Sequence, residues 1–146
     1  MPQMIFVNLP VKDVAKATAF YEAIGCTKDP RFSNEVASAM QLSEEIVFMI
    51  LSHDFFKTFT SKPIADAHAT TEVLIAISRD SREAVDAIVE KAAAAGGKGD
   101  IREKQDLGFM YGRSFEDLDG HIFEPNFMDL EAAMAAFSNG PAHEPA

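Results

Sequence analysis

A chain of 146 residues, 47% apolar and 25% charged, has the size and composition of one globular domain with its own core. A formal net charge of −10 argues against nucleic acid or an anionic membrane as partner, because both are polyanions. Cys26 is the only cysteine, which rules out an intrachain disulfide and fits a reducing, cytoplasmic setting; the first nine residues lack signal-peptide character, and no apolar run approaches the roughly 20 residues that span a bilayer.

The chain opens with a strand-length apolar run over residues 4–9 that Pro10 is expected to end. Asp13 is placed to cap a helix whose Val14, Ala17, Phe20, Tyr21 and Ile24 recur on one face, with Gly25 just past its end. Weaker strands are expected around residues 31–33 and 37–41, and a clear one over 46–51. Residues 54–70 form a connector with three Phe nearby (Phe55, Phe56, Phe59) and room for one short helical turn. It is expected to cover a sheet edge or to close over a pocket.

The pattern then restarts. Residues 72–77 read as a strand, and Asp80 with Glu83 as a capping box. Val85, Ile88, Val89 and Ala92 mark a helical face, and Gly96-Gly97 stops it. A short strand over 101–104 and a closing hairpin of 109–115 with 122–127 follow, the Asp119-Gly120 pair supplying a tight turn. Both halves read strand, helix, strand, strand, strand, so the chain is a duplicated unit: module one over 3–53, module two over 71–129. Residues 130–146 hold a helix with Leu130, Ala133, Met134 and Phe137 on one face, capped by Asp129, and then a tail.

Within the hairpin one carboxylate, Glu124, stands between Phe123 and Pro125 in an apolar segment. Burying it requires a cation, a donor or a proton. By strand parity Tyr111, Arg113 and Phe115 share one face, and Ile122, Glu124 and Asn126 share another. If those two faces coincide, a phenol, a guanidinium and a carboxylate line one apolar cleft. The alternative is that Arg113 and Glu124 simply pair as a structural strut.

The hairpin sequence FEDLDGHIFEP resembles the closing hairpin of the vicinal oxygen chelate superfamily, which includes glyoxalase I, bleomycin-resistance proteins and extradiol dioxygenases. FVNLPVKD at 6–13 and MYGRSFED at 110–117 are similar to a group of predicted lactoylglutathione lyases within it. The resemblance implies an α+β fold: tandem βαβββ modules forming a curved mixed sheet with a U-shaped cleft, plus a C-terminal helix. It also implies metal-ligand positions at Phe6, Met49, Leu74 and Glu124. Only Glu124 can bind a hard divalent ion. A register error of two would instead bring Asn8 and Glu72 beside Glu124.

The expectation is therefore a small-molecule protein with Glu124 as its functional carboxylate and Phe6, Asn8, Met49, Leu74, Tyr111, Arg113, Phe115 and Asn126 lining the site. No cofactor and an incomplete metal site are expected. The alternative is a metal-dependent glyoxalase-like lyase or dioxygenase. A homodimer is expected to cover sheet edges and apolar faces.

Overall fold

A computed structural model describes residues 2–138, and the C-terminal tail expected at 139–146 lies outside them. Module one runs β1 (Ile5–Val11), α1 (Val14–Ala23), β2 (Thr27–Asp29), β3 (Ala37–Gln41) and β4 (Ile46–Ser52). Its sheet has the order β1-β4-β3-β2, with β1 parallel to β4 and the other pairs antiparallel. A one-turn helix α2 (His53–Phe56) then opens the connector. Module two repeats the plan: β5 (Leu74–Ser78), α3 (Arg82–Ala94), β6 (Lys98–Gly99), β7 (Gln105–Asp106), β8 (Met110–Gly112), β9 (Phe115–Glu116) and β10 (Ile122–Met128). Here β5 is parallel to β10, which pairs antiparallel with β8 and β9, which in turn hold β7 and β6. In each unit the first strand runs parallel to the last, and the expected duplication is present. Helix α4 (Leu130–Ser138) closes the chain.

Local chemistry explains where the elements begin and end. Asp13 caps α1 by accepting the Lys16 N–H at 3.0 Å, and Gly25 follows with φ +110°. Pro10 does not end β1, because β1 is an edge strand on which a missing N–H costs no ladder bond. The expected strand at 31–33 is instead a 3₁₀ turn, since Pro30 presets φ and the Asp29 carboxylate accepts the Arg31 N–H. Ser81, not Asp80, caps α3 through the Ala84 N–H. The expected strand at 101–104 is an arch between β6 and β7, entered through Asp100 in a left-handed conformation (φ +52°).

The helix-facing sides of both sheets share one core. Phe115 and Phe123 stack at 5.1 Å, Phe48 meets Phe123 edge-on at 5.4 Å, and Tyr21 of α1 packs on both Phe48 and Phe123. Each such buried ring contributes on the order of 2–3 kcal/mol. The opposite faces of the two sheets therefore look away from this core, and they carry the exposed apolar residues Phe6 and Leu74 on the edge strands β1 and β5.

Candidate functional site

The register of the closing hairpin decides what Glu124 faces. Phe115 lies opposite Phe123 and Gly112 opposite Asn126, closed by a five-residue loop, 117–121, in which the Asp117 N–H donates to the His121 carbonyl. A two-residue Asp119-Gly120 turn would have shifted the pairing by one residue and put Arg113 on the face of Glu124. The longer loop puts them on opposite faces. Tyr111, Arg113 and Phe115 turn toward α3 and the core, while Glu124 and Asn126 turn outward.

The three residues expected beside Glu124 are accordingly employed elsewhere. Phe115 is fully buried in the aromatic core. Arg113, 7% exposed, donates twice to Asp100 (3.0 and 2.7 Å) and once to Asp86 (2.9 Å). Tyr111 donates to the same Asp86 carboxylate at 2.6 Å. Neither pairs with Glu124. Hydrogen bonds from Tyr111 and then Arg113 hold the Asp86 carboxyl below its usual range, and those from Arg113 hold Asp100 low in the same way.

On the outer face, Glu124 meets Arg102 at 2.9 Å, the carboxylate 21% and the guanidinium 44% exposed. Arg102 comes from the arch between β6 and β7. Its position follows from the other face of the sheet: Arg113 clamps Asp100, the Asp100 N–H donates to the Ser114 carbonyl (2.7 Å), and the Arg102 N–H donates to Ser114 Oγ (3.3 Å). Arg102 also reaches Gln105 Oε1 at 3.4 Å. With Met110, Gly112, Pro125, Asn126 and Met128 these residues line an open trough of about 220 Å³, which Arg113 also borders although its guanidinium is turned to Asp86 and Asp100. A guanidinium–carboxylate pair among thioethers, both heads still reachable by solvent, can orient a small polar group while the methionines cover an apolar body.

Other expected site residues are not brought to this trough. Leu74 lies on the same outer face one strand over, across from Ile122, and is 55% exposed. Phe6, Asn8 and Met49 share the outer face of the other sheet, Asn8 directly beside Met49. The alternative set of Asn8, Glu72 and Glu124 is also not assembled. Glu72 precedes β5 and pairs with His121 Nδ1 at 2.7 Å, and the other ring nitrogen of His121 lies 2.8 Å from the Pro10 carbonyl oxygen.

A divalent ion of the kind the resemblance implies does not fit these residues. Phe6, Met49 and Leu74 offer no hard donor, and Glu124 is already matched by Arg102. Among the described residues no three His, Cys, Asp or Glu side chains gather as a metal would require. Cys26 is not a ready nucleophile either, for burial pushes its thiol up to about 12.

No sequence-family model matches the chain, and no curated protein does. Solved structures do. Hypothetical protein SA1046 from S. aureus is 28% identical with a TM-score of 0.70, over 88% of this chain and 94% of that one. The fosfomycin resistance protein FosX from Listeria monocytogenes is 25% identical with a TM-score of 0.62, over 90% of this chain and 97% of that one. A glyoxalase/bleomycin resistance protein/dioxygenase family enzyme from Burkholderia phytofirmans PsJN shares the fold at 19% identity and a TM-score of 0.71, over 87% and 99%. Tandem βαβββ units with a trough on the outer face of the closing strands define a glyoxalase/bleomycin-resistance/dioxygenase fold. The chain shares this fold with glyoxalase/bleomycin-resistance/dioxygenase family proteins and with fosfomycin resistance proteins.

Proposed function

We propose that this chain binds a small organic molecule in the trough beside Glu124, without the superfamily's complete metal site. The observation that supports the reading most is the Arg102–Glu124 pair: a carboxylate kept on the solvent side of a closing strand, matched by a guanidinium that other residues position. A purely structural carboxylate would have been served by the buried Arg113, which is committed elsewhere. Native mass spectrometry of protein purified without added ligand tests this reading. A bound small molecule is expected, and it should be absent from Glu124→Gln.

The second reading is a metal-dependent glyoxalase-like lyase or dioxygenase, suggested by the place Glu124 holds in the hairpin motif. Elemental analysis after exposure to Mg²⁺, Mn²⁺, Ni²⁺ and Zn²⁺ separates the two: one retained ion per chain, lost in Glu124→Gln, would favour the metal enzyme. Fosfomycin belongs in any ligand panel because FosX is among the similar structures.

A homodimer is part of the proposal. Edge strands β1 and β5 expose Phe6 and Leu74, and α4 exposes Leu130 and Met134, so a second copy would cover apolar surface that one chain leaves open. It would also supply a way to bring the Phe6, Asn8 and Met49 face near Glu124. Light scattering at micromolar concentration should return twice the chain mass. Among the described residues no helix is long and apolar enough to cross a membrane, and a cytoplasmic location completes the proposal.

A further inference from the structure

A cavity larger than the trough is present among the described residues. It lies where the connector crosses the junction of the two modules, and it measures about 780 Å³. Lys12, Lys16 and Lys57 all line it, together with His53 and His68. In a chain with ten more acidic than basic residues, that gathering of cations is unusual. Arg31, Arg82, Arg102 and Arg113 are each paired with a carboxylate, whereas no carboxylate among the described residues comes within ion-pair distance of these three lysines. Three carboxylates do share the cavity wall, and each is already held by a backbone N–H: Asp13 by Lys16, Asp66 by His68 and Asp119 by Lys12. Lys16 moreover stands in the first turn of α1, where the helix dipole works against a cation.

Apart from His121, the remainder of the wall is apolar, with Ile64 and Leu118 facing the same space. The wall is also built to close tolerance. The connector backbone presses on the hairpin loop so closely that a Cβ on Gly120 would stand 2.7 Å from the Ala67 carbonyl carbon. An apolar floor with unpaired ammonium groups around it suits a molecule with an apolar body and an anionic head. Long lysine stems can follow such a head over several ångströms, and bound charge lowers their mutual repulsion.

We propose that the junction cavity is a second binding site, separate from the trough, for a small organic anion carrying a phosphate or carboxylate group. Phenyl phosphate is the probe, titrated into isotopically labelled protein and followed by backbone amide shifts, with benzyl alcohol and benzylamine as neutral and cationic counterparts. Saturable shifts at Ile64, Ala67 and Leu118 are expected, and benzyl alcohol and benzylamine should bind more weakly. The triple variant Lys12→Gln/Lys16→Gln/Lys57→Gln alters only exposed side chains and should lose at least about tenfold in affinity, about 1.4 kcal/mol. A control removing equal charge elsewhere, Lys28→Gln/Lys91→Gln/Lys98→Gln, should change affinity by no more than about twofold, since charges beyond a screening length act weakly. Absence of saturable shifts at the cavity, equal binding of benzyl alcohol, or equal losses in the two triple variants would overturn the proposal. Phenylacetate, a carboxylate, in place of phenyl phosphate distinguishes a need for phosphate from a need for any anionic head, and saturable shifts at the cavity with either anion support the proposal.

Discussion

Arg113, in the short break between β8 and β9, and Glu124 on the neighbouring β10 face opposite ways. The Arg113 N–H bonds to the Pro125 carbonyl, its side chain turns to Asp86 and Asp100 under the sheet, and Glu124 meets Arg102 above it. The two charges therefore do different work. The buried guanidinium holds the arch that carries Arg102, and the outer carboxylate is paired with Arg102 on the solvent side.

Substitution should separate those roles. Glu124→Gln leaves Arg102 able to rehydrate, so its cost should stay within about 1 kcal/mol. Arg113→Ala removes a buried cation from two carboxylates that are themselves 45% and 34% exposed, and should cost about 2 kcal/mol. Urea unfolding of both variants is the check. The reverse order of costs would mean that the trough pair, not the underlying clamp, holds the sheet together.

His121 gives the fold a pH dependence. Burial works to lower its pKa, but the Asp117 charge, the Pro10 carbonyl and Glu72 outweigh it, and the net shift is upward. Both ring nitrogens face acceptors, so the protonated ring satisfies them together. A histidine whose folded pKa is raised stabilises fully below its unfolded value of about 6.5, and that contribution is lost as pH climbs through the folded value. Asp117, raised by burial, acts in the same direction from the lower carboxylate range. Denaturant stability measured across this window should fall with rising pH, and the fall should be smaller in His121→Asn. A His121 ring signal that titrates below the ordinary value would contradict this.

Two glycines with positive φ should respond unequally to alanine. At Gly25 (φ +110°) a Cβ would meet nothing within 4 Å, so only backbone strain of about 1 kcal/mol is expected. At Gly120 (φ +88°) it would run into the backbone of Ala67 and His68 at 2.7–2.8 Å. Strain plus displacement of the connector should bring Gly120→Ala to about 3 kcal/mol. Thermal unfolding of the pair checks it, and equal shifts would mean the connector is loosely seated.

The duplication was legible because periodicity survives local accidents. Ala17, Phe20 and Tyr21 in α1, and Val85, Ile88, Val89 and Ala92 in α3, announce their buried faces by spacing alone. Within each strand, parity was legible too. What one sequence could not supply was the pairing register: Asp119-Gly120 is a good two-residue turn by composition, yet Asp117 accepts the N–H groups of Asp119 and His121 and holds a five-residue loop. One residue of slip exchanged Arg113 for Arg102 as the partner of Glu124. Arg102 carried no signal of its own, since its position depends on the left-handed Asp100 and the clamp beneath it. His121, three residues before Glu124, points away from it. That same orientation lets it tie Pro10 to Glu72 at the module junction.

The central claim is that small organic molecules, not a metal ion, engage the Arg102–Glu124 trough. The most direct measurement is the amide and arginine side-chain spectrum of labelled protein, titrated with a fragment library and separately with Mn²⁺. Fragments are expected to shift Arg102 Nε together with Gln105, Met110 and Asn126, to lose that effect in Glu124→Gln, and to leave Asp86 and Tyr111 unmoved, while Mn²⁺ broadens none of the trough signals selectively. Selective Mn²⁺ broadening around Glu124, with no fragment shifting the trough, would contradict the claim.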